Sequence, residues 1–290
     1  MHAPVLVAEV VAALEPSPHG AYVDATVGYG GHTAALLDAG AGFVLGLDRD
    51  PAALEACRRR FADAGSRVAL VHADYRTLPD VLAARGLPAV DGVLVDLGVS
   101  SPQLDDPARG FSFRHDGPLD MRMDPTAGRP LASLLADVDE RTLADVIFRL
   151  GDERHARRIA RAIVRARATA PLETTTALAH VVRRAIGGGW QRIDPATRTF
   201  QALRIWVNDE LDGLDAFIAA AVGALAAGGH FAAIAFHSLE DRVVKHTARS
   251  LAAAGRVRVL TRKPIEPGEL ETAGNPRARS ARLRVVEKLA

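Results

Sequence analysis

The stretch AYVDATVGYGGH, residues 21–32, decides the fold. Residues 21–27 are mostly apolar and short enough for one buried strand. Gly28, Gly30 and Gly31 then crowd into a turn that leads into a helix from His32. Glycines at such a strand-to-helix turn let the backbone approach a ligand closely at the crossing point of a parallel sheet. A dinucleotide fingerprint needs G-x-G-x-x-G, and Thr33 occupies the third glycine position, which disfavours a nicotinamide-dependent oxidoreductase. The acid that precedes the glycines, Asp24, suits an ammonium group and would repel a pyrophosphate.

Strand and helix alternate onward from this turn. FVLGLD (43–48), RVALVH (67–72) and VDGVLVDL (90–97) read as three further strands. Between them lie a helix opened by Pro51, whose missing N–H costs nothing in a first turn, and a helix over 77–85. Short, nearly continuous apolar strands separated by helices indicate a parallel sheet covered on both faces. The alternation stops at Ser100. Residues 100–129 show no period and hold Pro102, Pro107, Gly110, Gly117, Pro118 and Gly128. Such a long loop is usually functional, and Arg109, Phe111, Phe113, Met121 and Met123 are too specific for a linker. Helical spacing follows in Leu143, Val146, Ile147 and Leu150 and again in Ile159 and Ile163; Gly187, Gly188 and Gly189 end a further helix. One long helix over 201–226, a strand over 230–236, a helix over 239–253 and strands over 256–261 and 282–287 complete the chain. The expected fold class is therefore α/β, a Rossmann-like domain (1–104 and 201–290) interrupted after its fourth strand by a helical insert (105–200).

The strand ends are acidic. Asp48 ends the second strand, where an acid accepts both hydroxyls of a ribose, and Asp50 caps the helix at Pro51. Asp74 and Tyr75 follow the third strand, where an adenine ring could be contacted, and Asp96 ends the fourth. Acids gathered on one sheet edge collect like charge, which is unfavourable for stability but suits a cationic, ribose-bearing ligand. No His or Cys joins them at ligand spacing, so no metal is expected.

Composition narrows the class. The chain of 290 residues is 48% hydrophobic and 24% charged, enough for a large core. It contains no apolar run near the roughly 20 residues of a membrane helix. Residues 1–18 carry no Lys or Arg, so no signal peptide is expected, and a lone Cys57 reads as a small buried hydrophobe in a cytoplasmic protein. The net charge of +1 conceals thirteen arginines against five acids between Arg141 and Arg204, among them Arg154, Arg158, Arg161 and Arg165 on one helix face. Local basic excess suits a polyanionic partner or a solvated face.

Within residues 96–105, DLGVSSPQLD, the stretch Ser100-Ser101-Pro102-Gln103 resembles the polar-Pro-Pro-aromatic loop of amino-group methyltransferases, without its second proline and its aromatic. An exocyclic amine on a base is a poor nucleophile because its lone pair is delocalised into the ring. Two acceptors outside the ring plane favour the pyramidal nitrogen that attacks a methyl group. Further blocks are RGFSF (109–113), DGPLDMRMD (116–124), HAPVL (2–6), DATVGYGGH (24–32), Asp48-Arg-Asp50, DPATRTFQALRIWVNDEL (194–211), FHSLEDRVVK (236–245) and NPRARSARLR (275–284). Together, and in this order, they resemble the ribosomal small-subunit methyltransferase H family. That resemblance implies a class I methyltransferase fold, S-adenosylmethionine as cofactor, and methylation of the 4-amino nitrogen of a cytidine in the decoding centre of 16S ribosomal RNA, presented within the small ribosomal subunit. It implies cofactor contacts at Gly30, Gly31, His32, Asp48, Tyr75, Asp96 and Gln103, substrate acceptors at Ser100 and Ser101, and substrate recognition by the helical insert. At a helix N-terminus a neutral His32 would be free to bond the cofactor's carboxylate. Position 194, His in the family pattern, is Asp here and is given no role.

Two stretches keep alternatives open. Ser238 with Asp241 reads as a capping box, while His237, at a strand end, could meet the target base. The arginines of 275–284 could hold phosphates or brace the site through carboxylates. The rival function is a non-catalytic RNA-binding assembly factor, which would leave the glycine turn and acidic strand ends unexplained.

Overall fold

The computed structural model describes residues 4–187 and 193–290. His2, Ala3, Gly188 and Gly189, invoked above, lie outside the described residues. The chain divides into two compact units: Met1–Gly98 with Leu211–Ala290, and Val99–Glu210.

The first unit holds a seven-stranded sheet. Its parallel strands are β1 (Ala21–Asp24), β2 (Phe43–Asp48), β3 (Val68–His72), β4 (Val90–Asp96) and β5 (Leu225–Ala235). Two more, β6 (Val257–Val259) and β7 (Arg282–Lys288), extend it; β7 runs antiparallel to both β5 and β6. The strand order is β3-β2-β1-β4-β5-β7-β6, a Rossmann order with one reversed strand, β7, inserted between β5 and the edge strand β6. Side chains alternate between two faces, and both are covered. Val23, Leu45, Val93, Val95 and Phe231 form one core with α4 (Leu78–Ala84), α11 (Leu214–Ala224) and α12 (Ser238–Ala253). Their neighbours Tyr22, Val44, Leu94 and Ile234 form the other with α1 (Val7–Leu14) and α2 (Gly31–Asp38). Helix α3 (Pro51–Arg60) is specified at both ends. Asp50 accepts from Ala52 N, Pro51 stands in the first turn, and Arg58, Arg59 and Arg60 face the negative end of the dipole.

The second unit is helical: α5 (Ser101–Asp105), α6 (Leu131–Asp137), α7 (Glu140–Gly151), α8 (Ala156–Thr169), α9 (Thr175–Ile186) and α10 (Ala196–Val207). In α8, Ala156, Ile159, Ala160 and Ile163 are buried while Arg154, Arg158, Arg161 and Arg165 on and beside it are exposed. The aperiodic stretch begins with α5 and is then fixed by specific bonds. Arg109 donates to the carbonyls of Arg122 and Met123, Thr175 Oγ1 donates to the carbonyl of His115, and Phe113 meets Phe200 edge-on at 4.7 Å. Gly110 takes φ +72, and a Cβ there would stand 2.2 Å from the Pro118 carbonyl. The unit runs from 99 to 210, wider than 105–200, because Val99, Leu104, Trp206 and Val207 pack with the helical core.

Three expected elements are corrected. The single helix over 201–226 is two helices, α10 and α11. Apolar spacing continues through both, but Asn208 ends α10, Asp209 takes φ +47, and Gly213 at φ +66 starts α11. The first strand is shorter than 21–27, and the fifth starts earlier, at Leu225. No described helix is long and apolar enough to cross a membrane.

Asn208 shows why the break is maintained. Its Oδ1 accepts from Met123 N at 2.7 Å and its Nδ2 donates to the Met121 carbonyl at 2.8 Å, both buried. Met121 itself sits at φ +61. Removing the amide orphans two buried backbone groups, each costing about 1–3 kcal/mol. Asn208→Ala should therefore lower the unfolding free energy by about 2–4 kcal/mol in urea titration, and Asn208→Asp should also destabilise, because its second oxygen would face the Met121 and Arg204 carbonyls that Nδ2 now satisfies. An unchanged midpoint in the alanine variant would show that the loop is held by packing alone.

Candidate functional site

Strand β1 lies between β2 and β4, where the connections turn to opposite edges of the sheet. The carboxyl ends of the strands open a crevice at such a point. Asp24, Asp48 and Asp96 end β1, β2 and β4 there. The glycine turn is tied to Asp48: Gly28 N donates to its Oδ2 at 2.7 Å, and Asp50 N donates to its Oδ1 at 2.8 Å. Each oxygen keeps a further lone pair for a hydroxyl. Gly30, the N-cap of α2 at φ +78, has no room for a side chain, since a Cβ would stand 2.6 Å from the Phe61 ring and 3.2 Å from Cys57 Sγ. A Cβ on Gly31 would come within 2.8 Å of Pro4.

Two carboxylates are only half satisfied. Asp24 Oδ2 accepts from Thr33 Oγ1 at 2.8 Å, whereas its Oδ1 is buried without a hydrogen-bond partner among the described residues. Asp96 Oδ1, on the neighbouring strand, is also buried and unpartnered. Burial raises the Asp24 carboxyl above its ordinary value, against the pull of His32 and of hydrogen bonds from Thr33 and Thr26. Burial pushes Asp96 up to about 7; His32 opposes the rise, and the negative charges of Asp24 and Glu240 add to it. Burial likewise lifts Asp48 to about 6, against the bonds from Asp50 and Gly28. Unpaired buried acceptors are costly, and two on adjacent strands fit a cationic N–H donor supplied by a ligand. The site therefore suits a group with an ammonium at Asp24 and Asp96 and a diol at Asp48.

One nitrogen of His32 is engaged within the protein. Its Nε2 donates to the Val5 carbonyl at 2.8 Å, while Nδ1 stands 3.9 Å from Asp96 Oδ2. One ring nitrogen is thus committed to the N-terminal segment, and only Nδ1 faces the acids. Tyr75 follows β3, buried against Phe217 with ring centroids 4.6 Å apart. Asp74 gives its carboxylate to Arg76, at 2.8 Å from Nε and 2.7 Å from Nη2. Burial raises it, but the hydrogen bonds and charge of Arg76, with Arg49 at 3.8 Å, hold it below its usual range.

Gly30, Gly31, His32, Asp48, Tyr75 and Asp96 all belong to the first unit; Ser100, Ser101 and Gln103 belong to the second. Ser100 is the N-cap of α5. Its Oγ accepts from Gln103 N at 3.4 Å, and Gln103 Oε1 accepts from Ser100 N at 2.9 Å, a reciprocal capping box. Ser101 is the first helical residue and lies outside that box.

The capping box expected from Ser238 and Asp241 falls one residue earlier. His237 Nδ1 accepts from Glu240 N at 3.3 Å, and Glu240 Oε2 accepts from the backbone N–H of Phe236 and of His237. Asp241 instead receives Arg284 Nε at 2.6 Å and Arg282 Nη1 at 3.5 Å. Of the two readings of the C-terminal arginines, bracing describes Arg282 and Arg284. Sequence reasoning missed Thr26, Thr33 and Glu240. Thr26 Oγ1 accepts from Asp96 N at 2.7 Å, linking β1 to β4. Thr33, noted above only as a missing glycine, is the donor to Asp24; a hydroxyl at that position was the available signal.

The profile of a family described as the MraW methylase family matches residues 1–289. A protein of Sorangium cellulosum named ribosomal RNA small subunit methyltransferase H is 51% identical, with 99% of this chain and 91% of that protein covered. A protein of the same name from Deinococcus radiodurans is 50% identical, with 100% and 90% covered. Among solved structures, a putative rRNA-methylase from Clostridium thermocellum aligns over 100% of both chains at 12% identity and a TM-score of 0.47.

The raised Asp96 carboxyl makes stability depend on pH. From about pH 4, where an unfolded carboxyl loses its proton, to about 7, the ligand-free fold keeps a proton that the unfolded chain releases. This group therefore stabilises the fold at acid pH, and its contribution is lost as pH rises through about 7. Asparagine holds no titrating proton, so Asp96→Asn should gain on the wild type between pH 5 and pH 8. The ceiling is about 3 kcal/mol, from about two pH units at about 1.4 kcal/mol each, reduced because the Asp96 side chain keeps 24% exposure. Urea unfolding at both pH values measures it; parallel stability curves for the two proteins would refute the buried-proton reading.

Proposed function

Because the chain belongs to the MraW methylase family, we propose that it transfers the methyl group of S-adenosylmethionine to RNA of the small ribosomal subunit, at the 4-amino nitrogen of a cytidine in the decoding centre. The pair of orphaned carboxylate oxygens beside the glycine turn carries the cofactor part of this reading. Asp24 and Asp96 hold the amino-acid ammonium, Asp48 accepts the ribose hydroxyls, and Tyr75 bounds the adenine. Gly30 and Gly31 permit close approach of the backbone. When bound, the cofactor supplies a methyl group activated by the adjoining sulfonium.

The substrate part rests on relatives named for ribosomal RNA methylation and on the exposed arginines of α8. Phosphate contacts of this kind position an RNA without reading its sequence. Ser101, outside the local cap, and the carbonyls of the Ser-Pro turn accept from the target amine and favour its attacking geometry. Ser100 acts mainly by holding that turn. The amine's proton becomes acidic after methylation and leaves to water, so no strong base is needed beforehand.

Transfer is direct to nitrogen, with no covalent enzyme–base adduct. Methylation of a ring carbon normally needs a thiolate nucleophile. Cys57 is buried beneath the glycine turn, its Sγ donates to the Gly28 carbonyl at 3.1 Å, and burial pushes its thiol up to about 12. Nucleoside analysis of RNA methylated by the purified protein should give N4-methylcytidine, and Cys57→Ser should retain activity. Recovery of 5-methylcytidine would overturn the mechanism.

Asp48 gives a second test. Hydrogen bonds to a charged acceptor are worth about 1.5–3 kcal/mol, so Asp48→Ala should weaken S-adenosylmethionine binding roughly ten- to hundred-fold in calorimetry. Wild-type affinity in a folded variant would remove Asp48 from the site.

A further inference from the structure

The outer face of α12 is basic in a way that local stability does not account for. Arg242, His246 and Arg249 are exposed and Lys245 is half-buried. At 100° per residue the four positions fall within an arc of about 100°, and from Arg242 to Arg249 they span about 10 Å of helix axis. The two acids of this helix, Glu240 and Asp241, are buried and engaged by the cap and by Arg284. No exposed acid lies three or four residues from any of these cations within α12. A merely solvated helix usually intersperses charges of both signs at that spacing. Arg242 also sits near the positive end of the helix dipole, where a cation is unfavourable.

Among the described residues, many arginines elsewhere in this unit are occupied, although Arg85, Arg256, Arg262 and Arg279, scattered over separate elements, are not among them. Arg58 and Arg59 pair with Glu55, Arg76 with Asp74, Arg258 with Glu287, and Arg284 with Asp241. Arg67 donates to the carbonyls of Leu37 and Ala41. Arg242, Lys245 and Arg249 have no ion pair or hydrogen bond through their side chains among the described residues. Their charges repel one another, and a polyanion laid along this face would supply the counter-charge that the helix lacks.

We propose that the outer face of α12 is a second RNA-backbone surface, on the cofactor-binding unit, in which Arg242, Lys245 and Arg249 contact successive phosphates of the substrate RNA. A row about 10 Å long is too extended for one phosphate and fits a continuous backbone. This inference rests on the proposed RNA substrate. It adds that phosphate contact is not confined to the arginines of the helical unit.

The test compares the wild type with the triple variant Arg242→Gln, Lys245→Gln, Arg249→Gln, and with Arg242→Lys, Arg249→Lys, which preserves charge. Binding to protein-free 16S ribosomal RNA and to intact small subunits is measured across a salt series, with S-adenosylmethionine affinity as the control for folding. The glutamine variant should lose roughly 0.7–0.9 in salt slope per cation, about 2–3 in all. Its RNA affinity should fall at least tenfold near physiological salt while cofactor affinity stays unchanged. The lysine variant should behave like the wild type. A wild-type salt slope in the glutamine variant would overturn the proposal. So would a defect seen with intact subunits but not with free RNA, which would assign the face to an acidic ribosomal protein. If the wild type itself binds no RNA, the substrate reading fails instead.

Discussion

Asp24 and Asp96 end adjacent parallel strands, each with one buried oxygen that nothing in the described chain satisfies. Keeping two such carboxyls side by side is expensive in an empty site, and the surrounding structure limits that cost. Thr33 donates to Asp24, Thr26 fixes the backbone of Asp96, and His32 lies 3.9 Å from it. Protonation reduces the repulsion further, since burial raises both groups. A cationic ligand removes the need for that proton. Two unpaired carboxylate oxygens kept side by side are thus disfavoured by desolvation and by mutual repulsion, and the fold offsets only part of that cost.

The glycine turn answers the same constraint from the backbone side. Asp48 clamps the turn through Gly28 N, so one carboxylate at a strand end also sets the conformation of the glycine loop. Phe61 and Cys57 close the space behind Gly30, and Pro4 closes that at Gly31. A larger residue at either glycine has nowhere to go without moving the N-terminal segment or α3. Cys57 thus serves the site as a packing group.

Arginine does three different jobs in this molecule. Arg109 ties an irregular loop through carbonyls, Arg282 and Arg284 anchor the start of α12 through Asp241, and the exposed faces of α8 and α12 carry guanidinium groups outward. Residue type alone does not separate these jobs. The planar fork serves a carbonyl, a carboxylate or a phosphate equally well, and only burial and neighbours decide which.

The sequence by itself determined the parallel sheet, the acidic strand ends, the glycine turn and the interruption after β4. These follow from local periodicity, from glycine's conformational freedom and from which residues stand at strand ends, all of which a linear chain displays. Tertiary structure alone decided the rest. The apolar spacing over 201–226 reads as one helix, yet Asn208 is needed by Met121 and Met123, more than eighty residues earlier, and the chain breaks there to reach them. Thr33 looked like a lost glycine until its hydroxyl was found on Asp24, and the cap of α12 fell to His237 because Asp241 belongs to Arg284. Each of these outcomes depends on a hydrogen bond or ion pair formed only when separate elements pack together, and local pattern holds no record of which partner a polar side chain meets when the chain closes.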